Sequence, residues 1–262
     1  MRIASLQPSI TITLHGLGRL DALCACTKYC VDAVPALAAR GIPVLGDSWS
    51  ANTEAILAAR PDLVIASVPY RMESLAAILK TGTPVLALAP HTLKDIYHDT
   101  RLIASIVRAA EQGETLVRQM QSAVEKTKQQ TDMLEFKPLV YCEEWGKPLI
   151  HSQRWVAELV EAAGGRFLGQ PGATTSIEAV AAADPDVLIF SWCGAGDRVP
   201  LERVTSQRGW LQLRAVREGR VYCVPDEYLN TPANTILEGL ACIASALHPD
   251  VFPRHTRLVS IA

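Results

Sequence analysis

Short apolar runs of strand length alternate with longer segments of helical period through the opening part of the chain. Arg2–Leu6, Gly41–Leu45, Leu63–Ser67 and Val85–Ala89 read as strands and Ile12–Leu23, Ala51–Ala59 and Met72–Lys80 as helices, with Cys24 to Cys26 on a further strand-like segment. That alternation marks a parallel sheet. The punctuation agrees, because Pro61-Asp62 and Thr81-Gly82-Thr83-Pro84 each stand just before an apolar run, where Gly closes helices and Pro stops them.

From Leu93 to Met133 the strand signal disappears. Apolar residues recur there at Ile103, Ile106, Val107, Ala110, Leu116, Val117, Met120 and Val124, a helical stripe that predicts one long helix with a break near Gly113. The alternation then restarts. Leu139–Cys142, Val187–Ser191 and Arg220–Val224 read as strands, and Arg154–Ala163, Thr175–Ala182, Gly209–Val216 and Thr231–Leu247 as helices. The pattern predicts an α/β fold of two parallel-sheet lobes joined by a long backbone helix: an N-terminal lobe over 1–92, the spanning helix over 93–133 and a C-terminal lobe over 134–262. A helical spine restricts two lobes to small hinge changes, where a Gly/Ser linker would permit wide ones.

Composition narrows the partners. With 25 Lys+Arg against 27 Asp+Glu and no basic run, the chain lacks the electrostatic footprint that phosphate backbones require, so nucleic acid is excluded as a partner. No uncharged apolar stretch reaches the length needed to cross a bilayer. The apolar run before Pro8 is too short for a signal segment and reads as a buried strand. Seven cysteines, three of them crowded at Cys24, Cys26 and Cys30, suit free thiols or metal ligation better than a disulfide framework. Together these features predict a cytoplasmic chain as written, and a periplasmic or surface-anchored one if the sequence is a trimmed mature form.

In open parallel sheets, ligands bind beyond the carboxyl ends of the strands. The residues just after the strands are Pro8 and Ser9; Lys28, Tyr29 and Cys30; Trp49 and Ser50; Tyr70; Glu144 and Trp145; Trp192 and Cys193; and Tyr228. Six of these are aromatic although aromatics make up only 6% of the chain, a bias that suits a large, flat, partly apolar ligand. Cys30, Cys142 and Cys193 stand at strand ends in both halves and are candidate thiolate ligands for an iron–sulfur cluster, zinc or copper. Cys24, Cys26, Cys223 and Cys242 lie in apolar runs and read as core. The six histidines show no metal-ligand spacing, and no GxSxG or Gly-rich phosphate loop is present. Glu143-Glu144 resembles a carboxylate pair, but neighbours on a strand point to opposite faces.

Several stretches carry a family resemblance over essentially the whole length. They are Arg2-Ile3-Ala4-Ser5-Leu6-Gln7-Pro8-Ser9, then Asn52-Thr53-Glu54-Ala55-Ile56-Leu57-Ala58-Ala59-Arg60-Pro61-Asp62-Leu63-Val64-Ile65, then Trp155-Val156-Ala157-Glu158-Leu159-Val160-Glu161-Ala162-Ala163-Gly164-Gly165, Ala183-Asp184-Pro185-Asp186-Val187 and Gly219-Arg220-Val221-Tyr222. They resemble the class of ABC-type substrate-binding proteins with a rigid helical spine, the cobalamin and siderophore class, in its cobalamin-binding branch. The resemblance implies a corrinoid or comparable macrocycle held between lobes. It also implies a glutamate on each lobe that docks onto an ABC permease; Glu54 matches the first, and Asn230 stands where the second acid is expected. In relatives without an export signal a cysteine recurs where Cys30 and Cys193 stand, and Cys142 departs from that pattern.

The sequence therefore predicts a non-enzymatic binding protein for a cobalamin-like corrinoid or other metal chelate, with a cytosolic metal or iron–sulfur carrier using the three cysteines as the alternative. An enzymatic reading rests on Glu143, Glu144 and the histidines alone.

Overall fold

The structure is a computed structural model and describes residues 1–46, 52–67 and 72–261. Trp49, Ser50 and Tyr70, three of the expected ligand residues, lie outside the described residues. The chain divides into two units, Met1–Gln119 with Pro232–Asn234 and Met120–Thr231 with Thr235–Ala262.

Unit 1 is built on five parallel strands, β1 (Ile3–Ser5), β2 (Leu23–Thr27), β3 (Val44–Leu45), β4 (Leu63–Ser67) and β5 (Val85–Leu88), in the order β3-β2-β1-β4-β5. The period-2 alternation of strand side chains sorts these apolar runs onto two faces. Ile3, Leu23, Cys26 and Ile65 enter the core beneath the helices Pro8–Gly16 and Leu93–Ile106. Ala4, Ala25, Val64 and Ala66 enter a second core with Ile56 and Ile78, from the helices Thr53–Ala58 and Met72–Leu79. Burial on both faces is why these strands read as continuous apolar runs. A late stretch of chain completes the first core: Ala233 is fully buried in it, and a Cβ on Gly16 would come within 3.1 Å of the Asn234 amide oxygen.

The segment expected as one helix over 93–133 consists of two, Leu93–Ile106 and Ala110–Thr131, and the boundary between the units falls inside the second. The break is at 107–109, not near Gly113. There Arg108 takes a left-handed φ of 55°, while Arg108 N–H donates to Ser105 and Ala109 N–H to the carbonyl of Ala104. This is the helix-closing turn that glycine usually supplies, here built with arginine, so no sequence signal announced it. Gly113 has a different task. A Cβ there would lie 2.4 Å from the Ala104 Cβ, so the missing side chain lets the two helices approach.

Unit 2 centres on β6 (Leu139–Gly146), paired antiparallel with β7 (Leu149–His151) and parallel with β8 (Arg166–Phe167) and β10 (Val187–Phe190). β9 (Thr174–Thr175) extends the hairpin side, and β11 (Val221–Cys223) and β12 (Val259–Ser260) the other, giving the order β12-β11-β10-β6-β7-β9. The sheet is mixed rather than parallel throughout, because the chain turns back at Lys147-Pro148 and β12 returns antiparallel to β11. One face buries Tyr141 edge-on against Trp210 at 5.9 Å and Phe190 at 6.4 Å. On the other, Gly165 is wedged against Val140, Val160 and Leu247, all within 3.0 Å of where a Cβ would stand.

Candidate functional site

At the carboxyl edge of the unit 1 sheet, β1 runs into the helix Pro8–Gly16, with Pro8 opening it and Ser9 buried at its start. β2 runs into the short helix Lys28–Ala33, where the exposed Lys28 places its ammonium 4.9 Å over the half-buried Tyr29 ring. Cys30 points inward instead. It is fully buried, its Sγ is 3.2 Å from the Thr27 hydroxyl and 3.9 Å from that of Ser5, and Thr11 donates to the same Ser5 hydroxyl at 2.8 Å. Burial pushes its thiol up, but hydrogen bonds from Cys26, Thr11 and Thr27 outweigh burial and draw it below the ordinary thiol range, while the Cys26 thiol moves up. Cys30 is a polar-capped core group rather than a surface ligand.

An open pocket lies between the helix Pro8–Gly16, the ends of β4 and β5 and the helix Leu93–Ile106, and its polar lining is Ser9, Thr13, Ser67, Asp99 and Thr100. All of its residues belong to unit 1. Asp99 was missed in the sequence because an aspartate on an amphipathic helix resembles any solvated one. Burial pushes its carboxyl up to about 6.

At the carboxyl edge of the unit 2 sheet, Glu143 and Glu144 do part company. Glu143 is fully buried and accepts from both guanidinium nitrogens of Arg208 at 2.8 and 2.9 Å, from the Trp192 indole at 2.8 Å and from the Tyr141 hydroxyl. Trp192 is thereby tied into the core of its unit, edge-on to Phe190 at 6.3 Å and so close over Gly146 that a Cβ there would meet its ring at 2.8 Å. Trp145, 44% exposed, donates its indole N–H to the Lys147 carbonyl.

Glu144 joins a second group of polar side chains. Gln153 donates to its carboxylate at 2.7 Å, and the Cys193 amide donates to its backbone carbonyl at 3.2 Å. Asn230 donates from its side chain to the Ser191 carbonyl and, at 3.4 Å, to the Cys193 sulfur. Asp226 accepts from the amides of Gly194 and Gly196 at 2.7 and 2.9 Å and so fixes the loop that carries Cys193. Tyr228 stands beside it, edge-on to His255 at 5.9 Å with Arg257 over its ring. Asn230 therefore serves to hold the strand-end loop. Burial, with the charges of Glu144 and Asp226, pushes the Cys193 thiol up to about 12.

Burial likewise pushes the Glu144 carboxyl from 4.5 up to about 7. A carboxyl raised by folding contributes stability that is complete below its unfolded value and is lost as pH climbs through the folded one. Glu144→Gln is therefore expected to be more stable than wild type at about pH 8 by about 1 to 2 kcal/mol, allowing for solvent screening. The gap closes below about 4.5; equal urea midpoints at both pH values would overturn the assignment.

The metal reading of the cysteines is not supported by their placement. Cys30 belongs to unit 1 and is enclosed by hydroxyls, while Cys142 lies in the core of unit 2, where burial pushes its thiol far up. Strand alternation puts Cys142 on the opposite face from Tyr141 and Glu143. Among the described residues no group of three or more His, Cys, Asp or Glu side chains is arranged to hold a metal ion.

Two α/β units, each presenting aromatic and hydrogen-bonding groups at the carboxyl ends of its strands, are the build of a small-molecule binding protein. The periplasmic binding protein family matches residues 3–228, and the chain belongs to that family, whose members are binding proteins rather than enzymes. An uncharacterized ABC transporter substrate-binding lipoprotein of Bacillus subtilis is 24% identical over 96% of this chain and 81% of its own. A cobalamin-binding protein of Halobacterium salinarum is 25% identical over 94% of this chain and 69% of its own. Among solved structures, a periplasmic heme-binding protein of Pseudomonas aeruginosa superposes with a TM-score of 0.87 at 20% identity, over all of this chain and 98% of that one. The cytoplasmic placement expected from the opening residues and the thiols finds no support in relatives so described. No helix among the described residues is long and apolar enough to cross a membrane.

Proposed function

We propose that the chain binds a corrinoid, cobalamin or a close relative of it, through the residues at the carboxyl ends of its strands, and delivers it to an ABC permease outside the cytoplasmic membrane. The observation that carries the reading is the likeness to the Halobacterium cobalamin-binding protein over 94% of the chain. The site chemistry supports it. Pro8, Ser9, Lys28 and Tyr29 in unit 1 and Glu144, Trp145, Trp192, Cys193 and Tyr228 in unit 2 offer aromatic surface with scattered hydrogen-bonding groups, as a macrocycle with polar arms requires. Glu54 is the proposed docking group for the permease, since it is exposed in the first turn of the helix Thr53–Ala58, with its amide capped by Asn52 at 2.7 Å.

Titration with cobinamide, cobalamin and haem tests the reading, with tryptophan fluorescence and visible absorbance as readouts. Stoichiometric quenching by a corrinoid with a Kd of about 1 μM or below is expected. Uptake of haem alone would replace the corrinoid by a porphyrin, and uptake of none would overturn the proposal. Glu54→Arg should leave the Kd unchanged and cut permease-dependent uptake at least about tenfold, because a docking charge acts on association with the partner.

A further inference from the structure

The unit 1 pocket has a one-sided hydrogen-bonding character. Thr13 and Thr100 line it, but their hydroxyl protons already go to the carbonyls of Ser9 and Ile96, each at 2.8 Å. What these two side chains can offer a guest is lone pairs alone. Asp99 adds a carboxylate that makes no hydrogen bond and no ion pair among the described residues. The charges that act on it come from its own helix: His98, and Asp95, which is held at the helix start by the amides of His91 and Thr92. Among the described residues no cationic side chain lines the pocket; Ser9 and Ser67 supply the remaining polar lining, from the helix Pro8–Gly16 and the end of β4. This half-buried acid beside two acceptor-only hydroxyls has no donor paired with it among the described residues, and although burial raises its carboxyl to about 6 it is mostly ionised at neutral pH.

We infer that the Asp99 pocket is a subsite for an N–H donor of the ligand, a primary amide or an ammonium, and that it selects amide-armed macrocycles over those whose arms end in carboxylates. The inference rests on the corrinoid reading for the identity of the macrocycle and deepens it. An amide arm delivers its N–H₂ to Asp99 and its carbonyl to the Ser9 or Ser67 hydroxyl. A carboxylate arm meets a like charge and a second set of lone pairs, which is rejection by an unpaired buried group rather than by size. The enclosed space holds only about one water-sized group, so the pocket receives the N–H₂ or N–H₃⁺ tip of an arm while the rest of the arm lies outside it.

The test compares the Kd of cobinamide, of its fully hydrolysed carboxylate counterpart and of haem on wild type, Asp99→Asn and Asp99→Ala, with far-ultraviolet dichroism confirming that each variant is folded. Wild type should prefer the amide form at least tenfold. Asp99→Asn should bring that ratio near one, largely by tightening the carboxylate forms, and Asp99→Ala should weaken cobinamide. A ratio near one in wild type, or a preference unchanged in Asp99→Asn, overturns the inference. A second arm needs no macrocycle: carboxyl-¹³C-aspartate protein is titrated with methylammonium, propionamide and acetate, the Asp99 signal being identified by its loss in Asp99→Asn. A saturable shift of that signal by either donor but not by acetate supports the subsite even where no macrocycle is taken up. No shift with either donor overturns the subsite while leaving corrinoid uptake standing.

Discussion

Glu143→Ala should lower the stability of unit 2 by about 4 kcal/mol, a large share of the 5–15 kcal/mol that holds a typical domain together. The carboxylate is fully buried and accepts four hydrogen bonds, two of them from Arg208, whose side chain is only 9% exposed. Truncation leaves a guanidinium, a phenol and an indole N–H buried without their acceptor, and the cost comes from those orphans more than from the lost attraction. The double variant Glu143→Leu/Arg208→Met should accordingly recover most of the loss. Urea unfolding followed by tryptophan fluorescence measures both, and a loss below about 1 kcal/mol for the single variant would show the pair to be solvated.

The second large effect is at Gly113. In an open helix, Gly→Ala gains about 1 kcal/mol of propensity. Here the added methyl would stand 2.4 Å from the Ala104 Cβ, so the sign should reverse, with a loss of about 1 to 2 kcal/mol for alanine and about 3 kcal/mol for valine. Ala104→Gly with Gly113→Ala should restore part of it, because the two positions share one contact. A stabilised Gly113→Ala would mean that the helices separate freely at this crossing.

The chain's architecture is legible wherever burial imposes a period. β4 follows its apolar run residue for residue because both of its faces are buried, and the helix Arg154–Ala162 follows its stripe because one side packs against a core. Legibility fails where the determinant is a distant partner. Nothing around Arg208 announces that it neutralises a carboxylate 65 positions away. Nothing around Asp226 announces that it fixes the loop at Gly194 and Gly196. The thirteen-residue reading of strand ends ended the β6 strand at Cys142, whereas it runs through Glu144 and Trp145 to Gly146, and it could not separate Trp145, exposed, from Trp192, which is tied to Glu143. Cys142 illustrates the converse error: alternation along β6 already directed it away from its neighbours, and its position near a strand end outweighed that signal.

The three residues Pro232–Asn234 give unit 1 a dependence on time as well as on space. At translation rates of about 5–20 residues per second, residue 232 emerges some 6 to 23 s after residue 119. Until then the site filled by the buried Ala233 and the neighbourhood of Gly16 stand open, with all five strands of the sheet already made. The nascent unit therefore waits on the ribosome with its core unsealed while the second unit is synthesised, and the last step in closing it is taken by a segment more than a hundred residues downstream. A chaperone that shields apolar surface has its longest opportunity to act on this protein in that interval.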